Sequence, residues 1–378
     1  MRRVKLVMQM LVAFIIATLA YNLFYEPHQD RVRAAVQQQM GSGQSIAIAS
    51  DSAPGFGSLS DFVASLKSKA ANAFSTAENK VGNVVAVAEG KLGMKQATYA
   101  SNATDIPAGK LRITVLDVGQ AEAILLQDGK RNVLVDVGDS RKDKQGFGGR
   151  ESLRRSLAKA GLREGVDRIH TVIITHHHGD HLGNIKWLAG KYKVSNIYDN
   201  NMPNANNAIS QWLNTELRAG HYHNRVLKAG DRVVLDNGYG LEVLAPGGFV
   251  PHSAYKESFN NTSIVMMLRY GQFKMLLTGD AEAPVEDALQ QRYGAELQAD
   301  VLKVGHHGSK TSSIYKFTSK VRPKYALVSC GPFEIYHHPN KKVVGSLQHL
   351  GAQVLTTKEH GNLTVITDGR GFDVKTEK

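Results

Sequence analysis

The chain is poor in cysteine and has no internal repeat of fixed short period along its 378 residues. Its one cysteine, Cys330, excludes an intrachain disulfide framework and a cysteine-rich metal site, so any metal would be held by histidine and aspartate. Because Cys330 lies in the apolar run "YALVSC", we expect it to be a small core residue. Apolar residues make up 42% of the chain, which excludes a protein that is disordered throughout.

Acidic residues are scarce relative to basic ones. The formal net charge is +12 at pH 7, and residues 110–378 carry 36 lysine and arginine against 27 aspartate and glutamate, a net of +9. This excess favours an anionic substrate, and no clear set of aromatic residues is interleaved with the basic stretch that follows "HHGS". Five positions there could line a track for a phosphate backbone: Lys310, Lys316, Lys320, Arg322 and Lys324.

The N-terminal part of the chain has the composition of a leader and a tether. Over residues 1–27, three basic residues lie within the first five positions, and 20 uncharged positions then lead to Glu26. This pattern is typical of a signal peptide or a transmembrane anchor, and either one predicts an exported protein, membrane-anchored on the extracytoplasmic side or secreted. Residues 28–108 are rich in Ala, Ser and Gly and predict a low-complexity tether, with an amphipathic helix possible over 59–92.

The remaining residues, 109–378, predict one α/β domain. Short β-branched runs bounded by turn residues, from "LRITVLDV" to "NLTVIT", are separated by stretches with helical periodicity. The helical candidates are "ESLRRSLAKAGL", "AISQWLNTELRAG", "VEDALQQRYG" and "KVVGSLQHLG". Groups of strands punctuated by helices favour an α/β sandwich over an all-α or all-β domain.

The stretch "ITHHHGDHLGN", residues 174–184, concentrates metal-binding side chains. It follows the strand-like run "TVIIT", so its side chains would lie in a loop at the end of a rigid strand. His176 and His178 alternate with other residues, and Asp180 is followed directly by His181, so one loop could serve two adjacent metal ions. Imidazole and carboxylate ligands suit Zn²⁺, Mn²⁺ and iron, so these residue types leave the element open.

These and other segments resemble a known family. Residues from about 110 to 378 resemble a metallo-β-lactamase fold hydrolase, on the segments "VLDVGQAEAILLQ", "VLVDVGDS", "IITHHHGDHLGN", "FKMLLTGD" and "DVLKVGHHGSKTS". The motifs "LDVGQ", "LTGD" and "KVGHHGS" are similar to those of the extracellular domain of the ComEC family, the DNA-internalisation competence channels. The resemblance implies an αββα sandwich that binds two divalent metal ions, Zn²⁺ or Mn²⁺.

Carried over by position, the resemblance implies a set of metal ligands. His176 and His178 would hold one ion, Asp180 and His181 the second, and Asp280 would bridge them. A further ligand would be His306 or His307 of the "HHGS" segment. His306 is favoured because it leaves the strand first.

Other residues would support the ligands. Asp136 resembles an acidic residue that orients the histidine loop, and Asn261 and Ser263 stand where many superfamily members have another ligand histidine. The histidine that intervenes in the loop, His177, would point away from the metals. Ala121 and Glu122 replace the family's usual Gly-Asp pair, which predicts an altered substrate-contacting rim.

The resemblance and the charge together predict a nuclease. A hydroxide activated by the metal ions would attack DNA, RNA or another anionic phosphodiester, and Asp180 or His338 could deliver the proton to the leaving group. Three residues that follow the "HHG" segment could bind a phosphate oxygen: Ser309, Lys310 and Thr311. A role beside a membrane DNA channel in competence is implied. The alternatives are a hydrolase of another ester, lactone or amide, and a catalytically silent surface module.

Overall fold

The computed structural model describes residues 106–142, 146–235, 238–332 and 336–378. The leader expected over 1–27 lies outside these residues, and so does the tether expected over 28–108, with its helix over 59–92, apart from positions 106–108. No helix in the described part of the chain is both long enough and apolar enough to cross a membrane.

Two sheets form the centre of the described domain. The first sheet contains strands β1 (Leu111–Val115), β2 (Ile124–Gln127), β3 (Asn132–Val135), β4 (Arg168–Ile173), β5 (Lys193–Asp199), β6 (His223–Val226), β14 (Leu363–Thr367) and β15 (Phe372–Thr376). The second contains β7 (Arg232–Val234), β8 (Tyr239–Ala245), β9 (Val265–Tyr270), β10 (Phe273–Leu277), β11 (Val301–Lys303), β12 (Tyr325–Val328) and β13 (Gln353–Thr356). The strand orders are β15-β14-β1-β2-β3-β4-β5-β6 and β13-β12-β11-β10-β9-β8-β7.

Helices cover the outer face of each sheet. The helices are α1 (Gly149–Lys159), α2 (Gly179–Leu182), α3 (Ile185–Lys191), α4 (Ala208–Arg218), α5 (His252–Glu257), α6 (Ala283–Tyr293), α7 (Tyr315–Val321), α8 (Lys341–His349) and α9 (Thr357–His360). Apolar residues of α1 to α4 pack on the first sheet, and those of α5 to α8 pack on the second. The layers therefore run helix, sheet, sheet, helix, which confirms the expected αββα sandwich.

Apolar side chains at alternate positions of the strands form the core between the two sheets. In β10, Phe273, Met275 and Leu277 belong to the inter-sheet core, while Leu276 packs with the helices outside. Successive side chains of a strand point to opposite faces, so an apolar strand covered on both sides serves two cores. Cys330 is fully buried in the outer core of the second sheet, which confirms its expected place.

Parallel pairing brings the loops that carry the motifs to one edge of the sandwich. Strands β3 and β4 pair in parallel in the first sheet, and β10 and β11 pair in parallel in the second. The two sheets meet there, because the backbone nitrogen of Ile264 donates to the carbonyl of Thr175 at 2.9 Å. Side chains that follow these four strands therefore converge.

Candidate metal centre

The histidine loop is held from below by one buried carboxylate. Asp136 follows β3, and its two carboxylate oxygens accept hydrogen bonds from the backbone nitrogen and the hydroxyl of Thr175, at 2.8 and 2.7 Å. His181 donates from Nδ1 to Asp136 Oδ2 at 2.7 Å, and both side chains are fully buried. This bond fixes the ring so that Nε2 faces away from Asp136. Asp136 therefore holds both Thr175 and His181 of this loop in place.

The second sheet supplies two further side chains that face the histidine loop, Asp280 and His307. Asp280 follows β10, and its backbone nitrogen donates to the hydroxyl of Ser263 at 3.0 Å. His307 follows β11 and donates from Nδ1 to the carbonyl of Ser329 at 2.9 Å, which leaves its Nε2 directed inward. The Nε2 atom of His307 lies 3.4 Å from Asp180 and 3.6 Å from Asp280. Ligand atoms from both sheets therefore meet at one point.

One glycine allows this approach. Gly279 has a φ of 51°, and a Cβ there would lie 3.1 Å from the side chains of both Ser263 and Thr175. A larger residue would strain the backbone and push the two sheets apart where they contact each other.

Four residues form a group that could hold a metal ion: Asp180, His181, Asp280 and His307. One ligand atom from each lies within 4.8 Å of all the others. Three buried atoms of this group make no hydrogen bond of good geometry among the described residues: His181 Nε2, which lies 3.1 Å from Asp280 Oδ2, and Asp280 Oδ1 and His307 Nε2. Buried polar atoms are costly unless satisfied, so this donor set fits a divalent cation that prefers nitrogen and oxygen ligands.

The charges of the group favour a cation as well. Burial opposes ionisation of Asp280, but the charges of His181 and His307 outweigh it and hold the pKa of this carboxyl well below its usual range. Burial also opposes protonation of His181, but Asp280 and Asp136 raise its pKa. The carboxylates of Asp180 and Asp280, whose pKa values are both held low, therefore place negative charge beside His181, and a divalent cation could take the place of the imidazole protons there.

His176 and His178 lie beside this group. His176 Nε2 is 3.0 Å from His178 Nδ1, and the ring of His176 lies 4.2 Å from that of His181, centroid to centroid. Burial lowers the pKa of both His176 and His178, which keeps the two rings neutral and able to act as ligands. His177 turns away, with its nitrogens 2.8 Å from Ser210 Oγ and 3.1 Å from Asp199 Oδ2.

The preference for His306 over His307 is not what the geometry shows. Both residues have positive φ, 46° and 55°, so the chain turns sharply after β11 and sends the two rings in different directions. His306 Nδ1 lies 3.2 Å from Glu282, while its Nε2 is 3.8 Å from Asp280. His306 therefore pairs with Glu282, and the second histidine enters the metal-binding group.

Of the three residues expected to bind phosphate, Ser309 and Thr311 form hydrogen bonds within the loop, and Lys310 is exposed. Thr311 donates to Glu282 at 2.8 Å and lies 3.0 Å from the hydroxyl of Ser309, so these two hydroxyls brace the loop. Lys310 is exposed between them. Asn261 also acts as a brace, because its Oδ1 accepts from the backbone nitrogen of Glu282 at 3.0 Å.

The expectation that Ala121 and Glu122 alter the substrate-contacting rim is wrong. Ala121 is 1% exposed and Glu122 is fully buried, where its carboxylate lies 2.5 Å from the ammonium of Lys303. Lys303 ends β11 in the second sheet, so the pair joins the two sheets beneath the metal-binding group. Sequence reasoning missed this ion pair, although a lysine inside the apolar run "DVLKVG" was its signal.

His338 is set into the site by an amide that sequence reasoning also missed. Gln120 Oε1 accepts from the backbone nitrogen of Gly331 at 3.1 Å, which turns its Nε2 towards His338 Nδ1 at 2.9 Å. Nδ1 therefore accepts, and the ring carries its proton on Nε2. Burial and the neighbouring imidazoles of His307 and His306 lower the pKa of His338 to about 4, so the ring is neutral near pH 7.

Comparison with known proteins identifies the family. Residues 116–331 match the metallo-beta-lactamase superfamily. The chain belongs to this superfamily. It is 30% identical to ComE operon protein 3 of Bacillus subtilis, with 66% of this chain and 32% of that protein covered. It is also 30% identical to competence protein ComA of Neisseria gonorrhoeae over 258 residues, 68% of this chain and 32% of that protein.

These relatives confirm the resemblance to the ComEC family of competence proteins. The chain spans about a third of their length, 32% in both cases. Among solved structures it is similar to the metallo-beta-lactamase fold protein YhfI of Bacillus subtilis, with a TM-score of 0.45, 14% identity, and 68% of this chain and 99% of that chain covered.

Proposed function

We propose that this protein is an exported, metal-dependent phosphodiesterase that hydrolyses DNA or RNA. One observation carries the metal dependence: ligand atoms of two aspartates and two histidines, three of the four residues buried, lie within 4.8 Å of one another. Divalent ions, Zn²⁺ or Mn²⁺, would satisfy these atoms, and His176 and His178 lie close enough to complete a second set of ligands.

Metal ions at this group would supply an activated water and would stabilise negative charge on the phosphate oxygens. The chain's own residues supply the rest. His338, with its proton on Nε2, donates a hydrogen bond to a phosphate oxygen or to the leaving oxygen. Asp180 is only half-buried at the mouth of the group, and His181 and His307 outweigh its burial and hold the pKa of its carboxyl well below its usual range, so it stays ionised and able to act as a ligand or a hydrogen-bond acceptor.

A polyanionic substrate is supported by the exposed basic residues. Lys310 lies in the loop after His307, and Lys316 and Lys320 lie four residues apart on α7, the helix that follows this loop. All three side chains are exposed. Contacts of this kind bind the phosphate backbone and make binding depend on salt. The likeness to competence proteins supports DNA as the substrate, beside a membrane DNA channel.

Export is supported by the charge pattern of the leader, three basic residues followed by 20 uncharged positions. Protease added to intact cells, with any outer envelope opened, should digest residues 109–378 while a cytosolic control protein survives. Protection of both would contradict export.

A substrate panel tests the activity. Tag-free full-length protein, stripped of metal and reloaded with Zn²⁺ or Mn²⁺, should cleave plasmid DNA or RNA and the small diester bis-p-nitrophenyl phosphate. His181→Gln should abolish turnover. The matched control is His221→Gln, because His221 also contacts a carboxylate at 2.7 Å, that of Glu216, but its side chain is 62% exposed and outside the metal-binding group.

If metal-loaded protein hydrolyses a lactone, a thioester or an amide but no phosphodiester, the proposal is wrong. If it hydrolyses none of these substrates, the result supports the alternative that the protein is a catalytically silent surface module.

A further inference from the structure

A stack of three aromatic rings leads from the surface to the metal-binding group. Tyr336 stacks on His338, with ring centroids 5.6 Å apart and planes 24° apart, and His338 stacks on His307 at 6.4 Å with the same interplanar angle. The inner two rings are buried, and Nε2 of His307 faces Asp180 and Asp280. The outermost ring, Tyr336, is 66% exposed. One of its faces lies on His338.

An arginine lies at the same mouth. Arg141 donates from Nη2 and Nε to the carboxylate of Asp139 at 2.8 and 3.1 Å, yet its side chain remains 79% exposed. Its Nη2 atom would lie 3.5 Å from a Cβ at Gly179, the residue before Asp180. The guanidinium therefore lies over the backbone of the metal-binding loop.

Arg141 is also electrostatically linked to the rest of the mouth. The hydrogen bond with Asp139 raises the pKa of its guanidinium most, and the negative charge of Asp180 adds to that effect. A planar guanidinium held in this way can bind a phosphate through two hydrogen bonds. The entrance to the metal-binding group thus carries an aromatic ring, that of Tyr336, and a positive charge held in place by Asp139, that of Arg141.

Resting on the proposed function, we infer that Tyr336 and Arg141 bind one unpaired nucleotide of the substrate, its base stacked on the solvent-accessible ring of Tyr336 and its phosphate on Arg141. A base inside a duplex has both faces covered by its neighbours and cannot stack on a protein ring without leaving the helix. The two residues therefore determine specificity for single-stranded or frayed nucleic acid. Stacking of one base on an aromatic side chain strengthens binding by roughly 5- to 150-fold.

Binding without turnover tests this inference separately from the proposed function. The full-length protein is titrated, in chelator, into a fluorescently labelled single-stranded oligonucleotide, into an abasic oligonucleotide of the same length, and into a duplex. Fluorescence anisotropy should show the base-containing single strand binding roughly 5- to 150-fold tighter than the abasic one. Tyr336→Ala should remove that preference, and Tyr336→Trp should restore it.

Two further variants separate the roles. Arg141→Gln should weaken binding of both single strands equally and lower the slope of log affinity against log salt by roughly one contact, because the lost interaction is with phosphate. Tyr315→Ala is the matched control, since Tyr315 is a 54% exposed tyrosine on α7. Equal binding of base-containing and abasic strands by the unaltered protein overturns the inference, and so does a preference that survives Tyr336→Ala. Failure of the proposed function would appear instead as absent turnover in the substrate panel.

Discussion

The buried ion pair between Lys303 and Glu122 offers a sharp test of how the two sheets are held together. Both side chains are at most 1% exposed, and Lys303 Nζ lies 2.5 Å from Glu122 Oε2 and donates to the carbonyl of Val304 at 2.9 Å. The backbone of Glu122 also donates to the carbonyl of Asp180 at 3.1 Å. The pair therefore ties β11 to the loop that carries a metal-binding carboxylate.

Removing one partner should be far more costly than removing both. Lys303→Met leaves a carboxylate buried without its cation, and Glu122 Oε1 already has no hydrogen-bond partner among the described residues. The free energy of unfolding should fall by about 3–5 kcal/mol. The double variant Lys303→Met with Glu122→Leu buries no charge at this position, so it should recover most of that loss.

Urea unfolding of the full-length protein measures the effect. With a slope of about 3 kcal/mol per molar, Lys303→Met should lower the midpoint by roughly 1 to 1.7 M. The matched control is Arg154→Met, because Arg154 and Glu151 are also 2.5 Å apart but their side chains are 47% and 46% exposed. That variant should cost less than about 1 kcal/mol. Equal losses for the two variants would refute the reasoning from burial.

Three other outcomes follow from the described contacts. Asp136→Asn should weaken metal affinity by about 10- to 100-fold in calorimetric titrations, because the carboxylate that orients His181 is lost. Burial raises the pKa of the Glu286 carboxyl from 4.5 to about 8, so its contribution to stability is full below pH 4.5 and is lost as the pH rises through about 8. Unfolding midpoints should show Glu286→Gln losing less stability than the unaltered protein over that range. Replacing Lys310, Lys316 and Lys320 by alanine should raise KM for long DNA and flatten its salt dependence, with bis-p-nitrophenyl phosphate nearly unaffected. Alanines at exposed lysines near the opposite end of the first sheet are the control: Lys130, Lys191 and Lys193.

The sequence predicts the layered fold well wherever a strand or helix carries a strong apolar pattern. Strands such as β4 and β10 and the helices α1, α4, α6 and α8 all lie where periodicity predicts them. The strands that sequence reasoning missed, such as β5, β6 and β15, are short or carry mainly polar and partly exposed side chains. Their pairing partners decide their structure, and a local pattern does not contain that information.

The sequence predicts which residue types stand at the strand ends of the site. It does not predict which way their side chains point. The left-handed turn at His306 and His307 reverses the expected choice between two adjacent imidazoles. Glu122 looks like a rim residue until a lysine 181 positions away meets it in the core. Gln120 and Arg141 act through neighbours that are distant in the chain, Gly331 and Gly179, and only the folded backbone brings those together.

The metal content of the purified protein tests the central claim most directly. Elemental analysis of tag-free, full-length protein should find at least one transition-metal ion per chain. That content should fall sharply in Asp280→Asn, which alters a buried member of the group, and should persist in His221→Gln, which alters an exposed histidine outside it. A natively folded protein that contains no such metal, and that takes up neither Zn²⁺ nor Mn²⁺ when they are added, would contradict the account.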